Sequence, residues 1–297
     1  MAEHKFGGDW TDIKLGKLEK YLRAYRTIFS GNERARHFKT WYVDAFAGTG
    51  SRTIAGASDS ENEPLFDDVY EDAEIKGYRD GSARIALGLQ DPFHKYLFID
   101  KARGRLSELK KMIQSDHPAL APRCEFEQGD ANGVLKTWCL RRDWTKERAV
   151  VFLDPYGMQV EWTTVQALAA TKGIDLWYLF PLGVGVARLL KRDGKLDESW
   201  QKSLDSVFGT RDWQNRFYET KVSEGLFGSL ETVERDAPAE KIQAFIQERL
   251  KSCFAGVAEG LFLRNSKSSP LYLLCFAASN ERGAKTAIKI AKEILAD

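Results

Sequence analysis

The stretch Thr40-Trp41-Tyr42-Val43-Asp44-Ala45-Phe46-Ala47-Gly48-Thr49-Gly50 decides how the chain is read. A β-branched and aromatic run, Thr40–Ala45, is followed by Phe46, Ala47 and two glycines separated by one residue. The run is continuous rather than alternating in polarity, which is the pattern of a strand buried on both faces of a parallel sheet. The glycines that follow let the backbone turn tightly and approach a ligand closely. Asp44 adds weight, because a carboxylate inside an apolar strand is costly unless it has a partner. A Gly-x-Gly turn alone is common, so its meaning depends on what stands at the ends of the neighbouring strands.

Working outward, four further strand-like runs follow, several of them nearly continuous: Lys95–Asp100 (KYLFID), Cys124–Gln128, Ala149–Asp154 (AVVFLD) and Asp175–Phe180 (DLWYLF). Helical patterns fall between them at Ser82–Leu89, Arg103–Gln114, Gly133–Leu140 and Thr163–Ala170. Strand–helix alternation predicts right-handed βαβ units and a doubly wound, Rossmann-like α/β sheet. Upstream, Leu15, Leu18, Leu22, Tyr25 and Phe29 form one apolar stripe and predict a helix over Lys14–Phe29. Lys14, Lys17, Lys20, Arg23 and Arg26 are read as lying off that stripe, either solvated or facing an anionic partner. Downstream, residues 186–250 read as a helical insertion with Trp200, Trp213 and Phe217 as packing anchors. Strands Gly260–Arg264 and Leu271–Ala277 then flank the polar NSKSSP stretch as a hairpin, and a helix over Glu281–Leu295 closes the chain. Residues 51–80 form an acidic insertion, whose Ser58–Asp80 part holds nine Asp and Glu against Lys76 and Arg79. With no clean linker, residues 1–297 read as a single domain.

Composition narrows the function. A hydrophobic fraction of 43% with 12% aromatic residues excludes a disordered chain. The 44 Lys and Arg nearly cancel the 43 Asp and Glu, which argues against unspecific coating of nucleic acid and leaves room for a local basic patch. The longest apolar stretch, Leu176–Ala187, contains a proline and two glycines and falls short of the roughly 20 residues of a membrane span. The opening MAEHKFGGDW has no apolar signal region. Cys124, Cys139, Cys253 and Cys275 lack metal-ligand spacing, so the expectation is reduced thiols in a cytoplasmic protein without a metal site. The four histidines form no catalytic set, and neither a nucleophile elbow nor a P-loop is present. A nicotinamide dehydrogenase is a weak reading, because Thr53 stands where the third glycine of G-x-G-x-x-G belongs.

Ligands of open α/β sheets bind outside the carboxyl ends of the strands. Strand one ends in Asp44 and the Gly48/Gly50 turn, and strand two in Asp100, an acid able to accept hydrogen bonds from ribose hydroxyls. Gly50 and Asp100 are 50 positions apart, rather than about 20, because the acidic insertion intervenes. Strand three is followed by Gly129-Asp130-Ala131 and strand four by Asp154-Pro155-Tyr156-Gly157. Each acid alone fits a cap or turn. Four at successive strand tips point to a nucleoside-type ligand.

These tips resemble class I S-adenosylmethionine-dependent methyltransferases. More closely, WYVDAFAGTG, GSARIAL, VFLDPYGMQVEW, IDLWYLFPLGVGVARLL and FGTRDW resemble the three-Cys-motif partner (TcmP) family, from about Lys17 to the C-terminal helix. The resemblance implies a seven-stranded sheet with its last strand antiparallel, S-adenosylmethionine as cofactor, and a partner protein carrying a three-cysteine motif. It implies that Asp44, Phe46, Gly48 and Gly50 line the methionine end of the cofactor, that Asp100 holds the ribose, and that Asp130 holds the adenine amino group. Asp154-Pro155-Tyr156 resembles the D-P-P-[Y/F] motif of methyltransferases acting on amino groups of nucleic-acid bases, with one proline fewer. In that motif the acid accepts a hydrogen bond from the target amine and the aromatic ring stacks on the flipped base. Two functions follow. One is a methyltransferase on a nucleic-acid amino group or similar nucleophile, with the basic first helix and Arg188, Lys191, Arg192 and Lys195 holding phosphates. The other is a non-catalytic accessory subunit of the cysteine-motif partner, docked through residues 186–250 and keeping a vestigial or regulatory nucleoside site. The acidic insertion, which would repel a phosphate backbone, favours the second.

Overall fold

The computed structural model describes residues 9–49, 81–225 and 228–297. Gly50 and the acidic insertion at 51–80 lie outside the described residues. A long helix α1 (Asp9–Gly31) precedes β1 (Lys39–Asp44), α2 (Ser82–Leu87), β2 (Lys95–Asp100), α3 (Arg103–Asp116), β3 (Cys124–Gln128), α4 (Ala131–Leu140), β4 (Glu147–Leu153), α5 (Trp162–Ala170) and β5 (Ile174–Phe180). A π-helical turn, Leu182–Val186, leads into α6 (Ala187–Leu189), α7 (Glu198–Phe208), α8 (Asp212–Phe217), β6 (Tyr218–Gly225) and β7 (Gly228–Arg235). The chain ends with α9 (Ala239–Lys251), β8 (Gly256–Val257), β9 (Leu261–Arg264), β10 (Pro270–Ala278) and α10 (Ala284–Ala296).

The central sheet runs β3-β2-β1-β4-β5-β10, with β8 and β9 both on the far side of β10. Strands β1 to β5 are parallel, with Val43 opposite Leu97 on one side and Val151 on the other. Strand β10 runs antiparallel to β5, with Cys275 opposite Tyr178. Val257 of β8 faces Ala277 and Leu263 of β9 faces Tyr272, so the two short strands form successive parts of one interrupted row. Counted by rows, this is the seven-stranded, doubly wound sheet with a late antiparallel strand that the sequence implies.

Alternate residues of each strand feed two separate cores. Trp41, Val43, Ile99, Val151, Leu153, Leu176 and Tyr178 pack on the face covered by α4, α5, α7 and α9. Tyr42, Tyr96, Phe98, Val150, Phe152, Trp177 and Phe276 pack on the face covered by α1, α2, α3 and α10. This is why the central strands read as continuous apolar runs. Strand β3 is the exception: it is the sheet edge and stays half-exposed.

Two expectations change. The region 186–250 is not helical throughout: β6 and β7 form an antiparallel hairpin, with Thr220 opposite Val233. In β6, Thr220 and Val222 alternate with Glu219 and Lys221, a period of two that suits a solvent-facing ribbon better than a helix. The helix α1 also buries more than its leucine stripe, since Lys14 and Arg26 are both buried. Arg26 donates to Thr40 Oγ1 at 2.5 Å and to Asp91 Oδ1 at 2.9 Å, so its anionic partner lies within the chain. The FGTRDW block is explained by packing. Gly209 ends α7 at φ 65°, with its Cα against the Trp162 ring, where any Cβ would come within 2.2 Å. Asp205 then gathers Trp213 Nε1 at 2.9 Å and Arg211 Nε at 3.0 Å.

Candidate active site

Strands β1 and β4 are neighbours although β2 and β3 come between them in sequence. The chain winds outward to one side from β1 and to the other from β4, so a crevice opens between their carboxyl ends. Asp44 ends β1 and is fully buried. It accepts hydrogen bonds from Ser82 Oγ, from the Phe46 amide at 3.3 Å and from Tyr42 Oη at 3.3 Å. Burial, joined by the charge of nearby Asp154, pushes its carboxyl up to about 6, against the opposing effect of those three donors. The following loop is tied across the strand tips: the Ala45 amide donates to the Phe152 carbonyl at 3.2 Å and the Ala47 amide to the Ile99 carbonyl at 3.0 Å. Phe46 is half-buried against the core. Gly48 sits at φ 59°, the left-handed region that glycine favours, and a Cβ there would meet nothing within 4 Å among the described residues. Among the described residues its backbone therefore lies uncovered at an otherwise packed edge.

Asp100 ends β2 and is the acid that receives this loop. Its Oδ2 accepts the Gly48 amide at 3.1 Å and its Oδ1 the Ala102 amide at 2.7 Å, with Arg105 Nη1 3.8 Å away. Asp130 caps α4: its Oδ2 accepts the Asn132 and Gly133 amides at 3.0 and 3.2 Å, while Lys101 Nζ stands 3.5 Å from Oδ1. The cap alone accounts for an acid there. Asn132, also buried, fastens the loop after β4 by donating to the Gln159 carbonyl at 2.9 Å and accepting the Glu161 amide at 3.0 Å.

Asp154 follows β4 on the α1 side of the sheet, two residues past Phe152. Its Oδ2 is held by Lys14 Nζ at 2.5 Å, and the lysine side chain is only 7% exposed against 28% for the acid. The ammonium also lies 5.3 Å from the Trp10 ring centroid and 6.0 Å from that of Phe152. Pro155 is buried, Gly157 takes φ 65°, and Tyr156 is 40% exposed with the Arg105 guanidinium 5.8 Å from its ring centroid. Asp44, Phe46, Gly48, Asp100, Asp130, Asp154, Pro155 and Tyr156 thus share one edge of the sheet; Gly50 lies outside the described residues. The basic residues Arg188, Lys191, Arg192 and Lys195 are exposed, with Lys191 Nζ 4.6 Å from the Trp200 ring centroid.

Lys14, Ser82, Arg105 and Trp10 belong to this edge and were not singled out as site residues from the sequence. Lys14 had a signal: Trp10, Lys14 and Leu18 follow i, i+4 spacing, which places a charge on a buried stripe. Ser82 lies in GSARIAL, where a serine begins a helix. Arg105 had none, because contact between α3 and the β4 loop depends on strand order.

Among the described residues no group of His, Cys, Asp and Glu could hold a metal ion, all four cysteines are free, and no helix is long and apolar enough to cross a membrane. The fold is that of a Rossmann-like α/β protein with the strand order of class I methyltransferases. No family model and no curated protein matches the chain. Among solved structures, it is similar to a protein of Legionella pneumophila at 13% identity, covering 83% of this chain and 93% of that one, with a TM-score of 0.40. It is also similar to a candidate S-adenosylmethionine-dependent methyltransferase of Listeria monocytogenes at 14% identity, covering 81% and 90%, with a TM-score of 0.36. An rRNA methylase of Streptococcus thermophilus matches at 11% identity over 67% and 88%, with a TM-score of 0.29. These likenesses assign no residue of this chain a role.

Proposed function

We propose that the protein is an S-adenosylmethionine-dependent methyltransferase of the three-Cys-motif partner kind, acting in the cytoplasm on a nucleic-acid amino group together with a three-cysteine-motif protein. The observation that carries this reading is the gathering of Asp44, Gly48, Asp100 and Asp154 around the β1/β4 crevice. The residues fit such a cofactor: among the described residues nothing crowds the positive-φ backbone of Gly48, and each Asp100 oxygen accepts one amide, leaving acceptor capacity for ribose hydroxyls. Asp44 and Phe46 would hold the methionine end and Asp130 Oδ1 the adenine amino group. The bound cofactor supplies a methyl group already activated on a sulfonium. The chain then mainly has to align a nucleophile and exclude water. Asp154 Oδ1 has no hydrogen-bond partner among the described residues, so it would accept an N–H of the incoming amine and orient its lone pair. Buried Pro155 stiffens this tip, and exposed Tyr156 offers a ring on which a base can stack.

One observation favours the accessory alternative, in which the site binds a nucleoside without catalysis. Lys14 already engages Asp154, and Arg105 lies over Tyr156. The two readings separate in a calorimetric titration of S-adenosylmethionine followed by radiolabelled methyl transfer to RNA and DNA, with and without the partner. Binding with transfer supports the enzyme; binding without transfer to any nucleic acid supports the accessory subunit. No binding in either setting overturns the cofactor.

A further inference from the structure

A buried lysine reaching the acid at a ligand-facing strand tip is an unusual use of a helix face. Lys14 comes from α1, which runs antiparallel to the strands across one face of the sheet: Lys14 meets the end of β4, Tyr21 meets Asp175 at the start of β5, and Arg26 meets Thr40 at the start of β1. Fastening α1 to the sheet does not require a charge at position 14, since Leu15, Leu18 and Leu22 are buried beside it. Burying an ammonium is costly unless it is paired. Here that cost is offset by Asp154 and by the faces of Trp10 and Phe152. The other charged groups of the edge do not duplicate this pairing. Arg105 is aligned on Asp100, Lys101 stands by Asp130, and Asp44 is bound by three neutral donors.

We propose that Lys14 is a positioning residue that balances the charge of Asp154, and thereby sets how the site discriminates between a cationic methyl donor and its neutral demethylated product. The inference rests on the cofactor reading given above. The sulfonium carries a positive charge that the product thioether lacks. Near a neutral Lys14–Asp154 pair the two ligands meet almost the same field, so product is not expelled by charge alone. An unbalanced Asp154 would attract the sulfonium and favour the donor. An unbalanced Lys14 would repel it and favour the product. For a sulfonium held within about 10 Å of the pair, at an effective dielectric near 20, one unit of charge would change such a ratio by about tenfold or more. The pair also defines the acceptor. Its second oxygen, Asp154 Oδ1, without a hydrogen-bond partner among the described residues, suits a neutral hydrogen-bond donor such as an exocyclic amine and disfavours an anionic nucleophile.

The test is the ratio of dissociation constants for S-adenosylmethionine and S-adenosylhomocysteine, measured by calorimetry on the full chain. It needs no methyl acceptor. Lys14→Met keeps the length and apolar stem of the side chain and should shift the ratio toward the donor by about tenfold. Asp154→Asn should shift it about as far toward the product, and Lys14→Arg should retain the native ratio. Opposite shifts in the first two variants are a signature that loss of packing does not produce. If Lys14→Met fails to fold, Asp154→Asn alone decides the matter. Native binding with ratios unchanged in the folded variants overturns the inference and leaves the cofactor reading standing. Absence of native binding for both ligands removes that reading and this inference with it.

Discussion

Asp44 is a carboxyl group held where ionisation is costly. Its folded value of about 6 lies above its ordinary 3.8, because burial outweighs the three donors around it. A group raised in this way contributes stability that is fully present below the ordinary value and is lost as the pH rises through the folded one. Two units correspond to about 3 kcal/mol. Asp44→Asn keeps an acceptor for the Phe46 amide and removes the charge. Its stability relative to the native chain should therefore rise between pH 4 and pH 6 by about 2–3 kcal/mol and then level off. Urea denaturation across that range measures it, and a flat difference would place the burden of the charge elsewhere. Gly48 makes the complementary case. Its φ of 59° strains any other residue, while the space beyond its Cα is open among the described residues. Gly48→Ala should cost about 1 kcal/mol of stability through that strain. It should weaken S-adenosylmethionine binding by more than that strain implies if the open space is the ligand's. Valine at this position would add a β-branched side chain and confuse the two effects.

At the scale of elements, α1 shows both what the sequence displays and what it hides. The leucine stripe was legible because 3.6-residue periodicity is local. That Tyr21 and Arg26 belong to the buried face was not, because each is satisfied by a group more than ten positions away, Asp175 and Thr40, and the spacing that puts Lys14 on the buried stripe does not name its partner, Asp154. The contact of Tyr21 with Asp175 is the most exposed to test. Burial pushes Asp175 up to about 6, and the Tyr21 hydroxyl, donating at 2.7 Å, opposes that rise. Tyr21→Phe should cost about 1–3 kcal/mol at pH 8, where the carboxylate loses its donor. The loss should be smaller at pH 5, where the carboxyl is protonated, since its folded value is already raised. Equal losses at the two pH values would mean that the ring, packed 4.8 Å from Phe276 by centroid, matters and the hydroxyl does not.

Across the whole molecule, the parallel half of the sheet was readable because strands buried on both faces write themselves as unbroken apolar runs, and the acids stood at their ends. What could not be read was pairing. Whether β4 neighbours β1, or Arg105 reaches Tyr156, depends on strand order, and a hairpin made of polar and β-branched residues leaves no core signature. The hairpin β6–β7 tests how independent that addition is. Val222 is 62% exposed and Val233 44%, so neither of these side chains is held by the cores. Its base is: the Tyr218 hydroxyl donates to the Lys191 carbonyl at 3.0 Å, and Arg235 Nη1 donates to the Leu190 carbonyl at 2.9 Å. Tyr218 and Arg235 are direct cross-strand partners, so an Asn-Gly turn can join them in place of residues 219–234. The shortened chain should keep a single cooperative unfolding transition, with its midpoint lowered by no more than roughly 2–4 °C, the shift expected from about 1 kcal/mol in a chain of this size. Its calorimetric affinity for S-adenosylmethionine should stay within about twofold of native, less than 1 kcal/mol, because the β1/β4 crevice is built from other elements. A larger fall in midpoint would show that the hairpin braces α8 and α9. A loss of affinity at unchanged stability would show that it reaches the strand tips, and would bring the 186–250 region into the site itself.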